Sequence, residues 1–332
     1  MALLEMKVTF KILRQKPDFS PKFQSYTIEV NKGNTILECL DKIKWELDGS
    51  LTFRKNCRNT ICGSCAVKIN GRSALACKEN VGGEIEKNPL SKSQNIPEIV
   101  ISPLNNLPVL KDLVVDMSNF WQDLEKIEPY VCTSSRNTPE KEFLQTPEER
   151  KLLEETGNCI MCGACYSECN AKEVNSLFVG PHALAKSYRL VDDSRDENRE
   201  NRIEKYNNTE KGVWGCTRCY LCNEVCPMGV APLDQISKIK GIILEKKDVN
   251  SSRAIRHRKV LVSLVKDGGW IDERKFGLMV VGNYFRDLRG LFSIAPLGLR
   301  LLTSGKFPLT FKSSEGTREV RALIELVQND NH

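Results

Sequence analysis

The chain has 332 residues, of which 40% are hydrophobic and 28% are charged, so it is long enough for two or three packed domains. Its net charge of +6 suits an anionic partner or anionic lipid headgroups but does not indicate a nucleic-acid partner. The 14 cysteines are more informative. The opening MALLEMKVTFKI alternates like a strand and is unlike a signal peptide. Because a long chain that is not exported rarely forms disulfides, we expect the cysteines to bind metal ions or clusters.

No apolar run approaches the roughly 20 residues that are needed to span a bilayer. The longest stretches without a charge are 276–285 and 290–299, with ten residues each. We therefore expect no signal peptide and no transmembrane helix, and contact with a membrane that is peripheral or made through a partner. We also expect the protein at the cytoplasmic face of that membrane.

The beginning of the chain, to residue 107, has the signals of a β-grasp domain in the order strand, strand, helix, strand, strand. The signals are strand alternation at 8–12 and 26–30, a capping box of Thr35 and Glu38, and a hairpin of strands 66–69 and 73–77 around Asn70-Gly71.

This domain contains the first cysteine group, which consists of Cys57, Cys62, Cys65 and Cys77. Its spacing, C-x4-C-x2-C-x11-C, matches the plant-type [2Fe–2S] pattern. Small residues such as Gly63 and Ser64 allow the loop to wrap two irons with backbone N–H groups pointing at the sulfides, and the fourth ligand comes from the strand after the hairpin. The alternative is a zinc site, but zinc sites favour paired C-x2-C. We predict one [2Fe–2S] cluster here.

After Pro108 the pattern becomes helical, and a strong helix start at Thr146-Pro147-Glu148-Glu149 leads to the second cysteine group. NCIMCGACYSEC at 158–169 is repeated as GCTRCYLCNEVC at 215–226. Both copies contain C-x2-C-x2-C-x3-C, the run of two-cluster ferredoxins in which the fourth cysteine ligates the other cluster. This rule assigns one [4Fe–4S] cluster to Cys159, Cys162, Cys165 and Cys226. It assigns the other cubane to Cys169, Cys216, Cys219 and Cys222. Zinc has no use for eight thiolates in this arrangement.

The remaining cysteines and the histidines lack such neighbours. Cys39 lies on the predicted helix, where we expect a small buried hydrophobe, and Cys132 has no predicted role. His182, His257 and His332 have no neighbouring ligands in the sequence.

The order of these motifs resembles the iron–sulfur subunit of succinate dehydrogenase and fumarate reductase. The resemblance covers about residues 5–245 and rests on CRNTICGSCAVKING (57–71), PVLKDLVVDMSNFW (108–121) and the GP…YRLVDDSRD stretch (180–196). It implies an α+β fold with a β-grasp [2Fe–2S] ferredoxin domain (1–107) and an all-α domain with two cubane clusters (108–250). Residues 251–332, which the resemblance does not cover and which contain no cysteine, form a third part, a helical C-terminal extension for contact with a partner or a membrane surface.

The resemblance also implies an oxidoreductase subunit without catalytic residues of its own. In this family an FAD-containing flavoprotein subunit oxidises succinate, and the iron–sulfur subunit passes the electrons through three clusters towards quinone. Two alternatives are the iron–sulfur subunit of another flavin-dependent dehydrogenase and a free multi-cluster ferredoxin.

Several residues depart from the family pattern. Better-known members have an apolar or hydroxyl residue at the position of Cys219 and hold a [3Fe–4S] cluster. The cysteine here predicts a second [4Fe–4S] cluster, with [3Fe–4S] as the alternative. Asn170 replaces a proline, no tryptophan follows it before Trp214, and Thr217 replaces a histidine, so the usual quinone-pocket residues are not carried over. Thr60 replaces a common glycine of the [2Fe–2S] loop.

The segment RHRKVLVSLVKDGGWIDE at 256–273 resembles the region that follows the clusters in an iron–sulfur subunit of heterodisulfide reductase. This implies a variant complex in which the third cluster delivers electrons to a membrane-associated, quinone-reactive subunit that is cysteine-rich and heterodisulfide-reductase-like. Residues 274–307 mix apolar side chains with Arg286, Arg289, Arg300 and Lys306. We interpret this stretch as a helix packed against the partner, with contact to an anionic membrane surface as the alternative.

Overall fold

A computed structural model describes residues 5–16, 19–89, 95–134, 137, 141–208, 210–245, 253–307 and 310–329. The chain divides into two compact units, Met1–Gly241 and Ile242–His332, and each is described by itself. The predicted start of the C-terminal extension at residue 251 lies outside the described residues, as does His332.

The N-terminal part of the first unit is a β-grasp domain. Its elements are β1 (Met6–Lys16), β2 (Phe19–Val30), α1 (Ile36–Lys42), β3 (Ala66–Ile69), β4 (Arg72–Leu75), α2 (Val81–Lys87) and β5 (Glu98–Ser102). The five strands form one sheet in the order β2-β1-β5-β3-β4, with β1 and β5 parallel. Val8, Phe10 and Ile12 are fully buried on one face of β1, because successive side chains of a strand point to opposite faces. The predicted capping box of α1, between Thr35 and Glu38, is confirmed.

The segment after Pro108 differs from its prediction. It is a β-hairpin of β6 (Val109–Lys111) and β7 (Val114–Val115), so the expected helical course is wrong for these residues. Asp112 at the turn has a left-handed backbone with φ of 48°. Its buried carboxylate accepts hydrogen bonds from Arg14 Nε and from the Thr52 backbone N–H, both at 3.0 Å. These contacts attach the hairpin to β1, and no local pattern reveals them.

The rest of the first unit is helical and shares the core of the sheet. Its helices are α3 (Ser118–Glu125), α4 (Pro147–Leu152), α5 (Glu154–Gly157), α6 (Ala164–Ser167), α7 (Asn170–Val174), α8 (Gly180–Val191), α9 (Arg199–Tyr206), α10 (Leu221–Glu224) and α11 (Pro232–Glu245). Thr146 caps α4 as predicted. Tyr166 of α6 belongs to the same buried cluster as the sheet residues, and its ring contacts Phe120 edge to face at 5.5 Å. The division at residue 107 stays a prediction.

A buried arginine fixes the segment between α3 and α9. The Arg202 guanidinium donates to the Asp196 carboxylate at 3.0 Å, to the Glu128 carbonyl at 3.0 Å and to the Tyr130 carbonyl at 2.6 Å. Since a charge is buried only when it is paired and hydrogen-bonded, these contacts explain how a fully buried arginine is tolerated.

The second unit consists of helices. They are α12 (Arg253–Gly268), α13 (Glu273–Val280), α14 (Leu288–Thr303) and α15 (Thr317–Asn329). Val260 and Leu264 of α12 pack with Val280 of α13 in its small core. None of the helices in the described ranges is long and apolar enough to cross a membrane.

Candidate iron–sulfur cluster sites

The first cysteine group lies on a loop that turns its backbone N–H groups towards sulfur. The N–H groups of Asn59 and Cys62 lie 3.3 Å from Cys57 Sγ, and that of Thr60 lies 3.4 Å from Cys77 Sγ. Left-handed backbone at Arg58, Thr60 and Gly63 produces this winding. Thr60, which replaces the common glycine, adopts φ of 57°. Such N–H donors are the groups that stabilise negatively charged cluster sulfur.

The fourth cysteine of this group reaches the loop from the end of the hairpin. Strand β4 ends at Leu75, so Cys77 follows the strand and does not lie on it as expected. The Ala76 N–H donates to the Cys65 carbonyl at 3.1 Å, which ties this end to the loop. Burial raises the pKa of Cys65 to about 12. Burial also acts on Cys62, but hydrogen bonds from Ser64 and Cys57 outweigh it and lower the pKa of Cys62 to about 6. The loop therefore favours a thiolate at Cys62, the form in which cysteine binds metal.

The duplicated cysteine motifs have the same backbone course. In the first copy Met161 and Gly163 are left-handed, with φ of 55° and 82°. In the second copy Arg218 and Tyr220 occupy the matching positions, with φ of 59° and 71°. A short helix follows in each copy, α6 and α10. The internal repeat of the sequence is thus also a repeat of structure.

One small cavity is lined by all four predicted ligands of the middle cluster, Cys159, Cys162, Cys165 and Cys226. Its other walls are mostly apolar and include Ile160, Met161 and Val230. The Val230 N–H donates to Cys226 Sγ at 3.3 Å. Burial raises the pKa of Cys162 to about 11 and that of Cys165 well above its usual value. The negative charges of neighbouring cysteine thiolates add to both increases. Four thiols around an apolar cavity, with a backbone donor at one sulfur, fit a cubane cluster.

His182 also lines this cavity, which its position in the sequence did not indicate. Its Nε2–H donates to the Phe120 carbonyl at 2.9 Å, and its ring stacks on Phe120. Burial lowers the pKa of His182 to about 4, so the imidazole is neutral at physiological pH. Among the described residues, its Nδ1 atom has no hydrogen-bond partner.

The third group also brings together cysteines from both copies of the motif. Burial raises the pKa of Cys169 to about 11, and the charges of Cys216 and Cys219 add to the rise. Burial raises the pKa of Cys222 to about 12, with further contributions from Cys216, Cys169 and Cys219. Cys169 and Cys222 are buried, whereas Cys219 is exposed. Cys219 thus faces solvent and still lies within electrostatic range of Cys169 and Cys222.

The first and second cysteine groups meet at a glycine. A Cβ atom added to Gly63 would lie 2.9 Å from both Cα and Cβ of Cys162 and 3.0 Å from the Ile160 carbonyl oxygen. Real Cβ atoms do not approach so closely, so only glycine allows this contact. The loop of the first group therefore packs directly on a predicted ligand of the middle cluster.

The two other cysteines belong to none of the three groups. Cys39 is buried in α1, and burial raises its pKa to about 12, as for a small hydrophobe. Cys132 Sγ lies 3.6 Å from Ser134 Oγ. Within the described part of the chain, no three His, Cys, Asp or Glu side chains converge as ligands of a single metal ion.

Comparisons with known proteins agree with this geometry. Residues 9–122 match the family model of a 2Fe-2S iron-sulfur cluster binding domain, and residues 155–230 match that of a 4Fe-4S dicluster domain. The mitochondrial succinate dehydrogenase [ubiquinone] iron-sulfur subunit 3 of Arabidopsis thaliana is 37% identical over 241 residues, which is 71% of this chain and 75% of the relative. The chain belongs to the succinate dehydrogenase iron–sulfur subunit family.

Solved structures support the fold. A chain of the Mycobacterium smegmatis Sdh1 complex in the apo form is similar with a TM-score of 0.64 and 24% identity, over 74% of this chain and 98% of that one. A hypothetical protein from Helicobacter pylori matches with a TM-score of 0.50 and 18% identity, over 80% of this chain and 44% of that one. The predicted α+β class is confirmed, as is the predicted role as the electron-transfer iron–sulfur subunit of succinate dehydrogenase.

Lys172 holds the segment after Cys169, in which the chain departs from the pattern of the succinate dehydrogenase family. Lys172 turns inward, and its ammonium donates to the Asp123 carboxylate at 2.6 Å and to the Phe178 carbonyl at 2.9 Å. Val174, at the end of α7, has 88% of its surface exposed. Lys172 therefore holds this loop from inside.

The left-handed Tyr220 gives a first testable prediction. A non-glycine residue in this conformation costs about 1–2 kcal/mol, and the matching position of the other copy is Gly163. We expect Tyr220→Gly to be more stable than Tyr220→Ala by about 1 kcal/mol, because both remove the exposed ring but only glycine relieves the backbone. Thermal unfolding of the two anaerobic, cluster-loaded variants measures the difference. Equal midpoints would contradict a strained loop.

Proposed function

We propose that the chain holds three clusters in the ligand sets predicted above. Cys57, Cys62, Cys65 and Cys77 bind a [2Fe–2S] cluster. Cys159, Cys162, Cys165 and Cys226 bind a [4Fe–4S] cluster. Cys169, Cys216, Cys219 and Cys222 bind a second [4Fe–4S] cluster, and this set distinguishes the chain from relatives with a [3Fe–4S] centre. When bound, the clusters accept and release single electrons.

The observation that carries the third assignment is the backbone repeat around Cys219. Cys219 lies between left-handed Arg218 and Tyr220, as Cys162, a predicted ligand of the middle cluster, lies between left-handed Met161 and Gly163. A cysteine near two buried ligands and open to solvent supplies the fourth corner of a cubane. In the [3Fe–4S] alternative Cys219 would not be a ligand.

Residues of this chain arrange the three cluster sites in sequence for electron transfer. The Gly63 contact brings the first loop against Cys162, so the residues that would hold the first two clusters lie side by side. Mostly apolar walls surround Cys165 and Cys226 at the middle site. At the third site Thr217, Arg218 and Tyr220 are exposed beside Cys219. These residues offer an exit surface to an electron acceptor.

The family to which the chain belongs supports two partners. An FAD-containing flavoprotein subunit supplies electrons at the first cluster, and this chain itself does not bind succinate. A membrane-associated, quinone-reactive subunit, in the variant complex one that is heterodisulfide-reductase-like, accepts them at the exit surface. The chain lies peripherally at the cytoplasmic face of the membrane.

Low-temperature electron paramagnetic resonance (EPR) on the anaerobically purified complex tests the proposal. We expect a rhombic [2Fe–2S] signal and fast-relaxing [4Fe–4S] signals on reduction, with about ten irons per chain from the cluster stoichiometry. A flavoprotein larger than this chain should co-purify. A stoichiometric [3Fe–4S] signal in the oxidised sample would overturn the third assignment, and purification without a flavoprotein would favour a free ferredoxin.

A further inference from the structure

The chain's net charge is confined to its C-terminal unit. Residues 242–332 contain sixteen Lys and Arg against ten Asp and Glu, a net charge of +6, which equals that of the whole chain. The first unit, with all twelve predicted ligands, is therefore neutral overall. Such an asymmetry marks the second unit as the part attracted to an anionic surface.

Helix α14 of this unit exposes a continuous apolar stripe. Phe292 has 76% of its surface exposed, Leu299 65%, Leu288 61% and Leu302 54%. With Ala295, these residues follow one another at steps of four, three, four and three positions, so they share one face of the helix. The stripe is about 22 Å long at the rise of a helix.

A different face of α14 packs on its own unit. Gly282 leaves room for Leu291, because an added Cβ would lie 2.5 Å from Leu291 Cδ2, and an added Cβ at Gly277 would lie at the van der Waals distance of 3.7 Å from Ile294 Cδ1. The Asp287 carboxylate accepts a hydrogen bond from the Gly290 N–H at 2.8 Å at the start of the helix. The helix is therefore anchored on one side, and the exposed stripe is a second apolar face.

Basic and aromatic side chains border the stripe. Arg289 and Arg300 are exposed. At about 100° per residue, both lie about 100° around the helix axis from the stripe, and both lie on the same side of it. No acidic residue occurs from 288 to 314. The turn before the helix exposes Tyr284 and Phe285, and both have left-handed backbone.

We propose that α14 and the Tyr284-Phe285 turn lie in the headgroup region of an anionic membrane, with the stripe directed towards the acyl chains. Leu and Phe enter the apolar boundary, and the arginines beside them extend to the phosphates. Aromatic residues next to such a helix suit the membrane interface. A protein covering this face would need acidic groups positioned against Arg289 and Arg300, whereas an anionic lipid surface supplies them without fixed geometry.

This contact goes beyond electron transfer to a partner subunit, since it joins the chain itself to lipid. It does not depend on the cluster ligands. Failure of lipid binding with a normal iron content would overturn this inference alone.

Vesicle co-sedimentation of the purified, cluster-loaded full chain tests the inference. We expect binding to vesicles of phosphatidylcholine and phosphatidylglycerol, weak binding to phosphatidylcholine alone, and loss of binding at high salt because salt screens the charges. Phe292→Glu should weaken binding at least about tenfold, since it removes the burial of one large apolar side chain. Arg289→Gln and Arg300→Gln should each weaken it about fivefold, on the anionic vesicles only.

Leu323→Glu is the matched control. Leu323 lies on α15 and has 64% of its surface exposed, close to the value for Leu299, so Leu323→Glu should bind vesicles like the parent chain while Leu299→Glu should not. An unchanged cluster spectrum shows that each variant is folded. Equal losses in Leu323→Glu and Leu299→Glu would overturn the assignment to α14. A second result would also overturn the inference: the parent chain binds no vesicles, and Phe292→Glu loses a protein that co-purifies with the parent. The stripe would then be a protein interface.

Discussion

Replacing Cys219 with serine is expected to lower the iron content from about ten to about nine per chain, or to about six if the whole third cluster is lost. Cys169, Cys216 and Cys222 would still offer three thiolates, which suffice for a three-iron centre. A serine hydroxyl is a harder and weaker ligand for iron in such a cluster than a thiolate. EPR of the oxidised variant should show a new [3Fe–4S] signal, while the reduced [2Fe–2S] signal stays intact.

Cys132→Ser is the matched control for this experiment. It makes the same chemical change at a cysteine outside the three groups, so iron content and spectra should equal those of the parent chain. Cys57→Ser should remove only the [2Fe–2S] signal. If Cys219→Ser retained all iron with an unchanged spectrum, Cys219 would not be a ligand. If Cys57→Ser removed both cubane signals, the division of the cysteines between two domains would be wrong.

The elements that the sequence predicts well depend on short-range chemistry. Thr35 and Thr146 cap helices because their hydroxyl groups reach N–H groups three residues on. Asn70 forms the predicted hairpin turn with φ of 49°. The hairpin at 109–115 has no local sequence signal, because it depends on the contact between Asp112 and Arg14, which are far apart in the chain.

The candidate site likewise has features that local sequence predicts and features that depend on tertiary packing. Cysteine spacing predicts three groups, since C-x4-C-x2-C is typical of a [2Fe–2S] loop and the duplicated C-x2-C-x2-C-x3-C run is typical of two-cluster ferredoxins. The Gly63–Cys162 contact and the burial of His182 beside the middle site depend on tertiary packing, so no local pattern predicts them. Tyr220 is a case where a signal was available. Alignment of the two motif copies places Tyr220 opposite Gly163, which indicates a left-handed residue there.

Replacing Gly63 with alanine is expected to destabilise the first unit by about 2–6 kcal/mol and to disturb electron transfer between the first two clusters. The left-handed backbone at Gly63, with φ of 70°, costs about 1–3 kcal/mol for a residue with a Cβ. The new methyl group would also meet Cys162 at 2.9 Å. Overpacking of this kind costs a further 1–3 kcal/mol or so, or is relieved by moving the loops apart.

Gly71→Ala is the control that separates the two effects. Gly71 has φ of 83° and nothing within 4 Å of an added Cβ, so its substitution introduces backbone strain without a clash. Denaturant unfolding of both anaerobic variants gives the stability difference, which should be about 1–3 kcal/mol in favour of Gly71→Ala.

Magnetic coupling between the two reduced clusters reports on the distance between them, which a measurement of stability does not. Coupling weakens as centres separate, so it should fall in Gly63→Ala and stay unchanged in Gly71→Ala. Equal stability and equal coupling in the two variants would show that the loops are not held in contact at Gly63. The electron path from the first cluster would then have to run through other residues, and the short route through Cys162 would be abandoned.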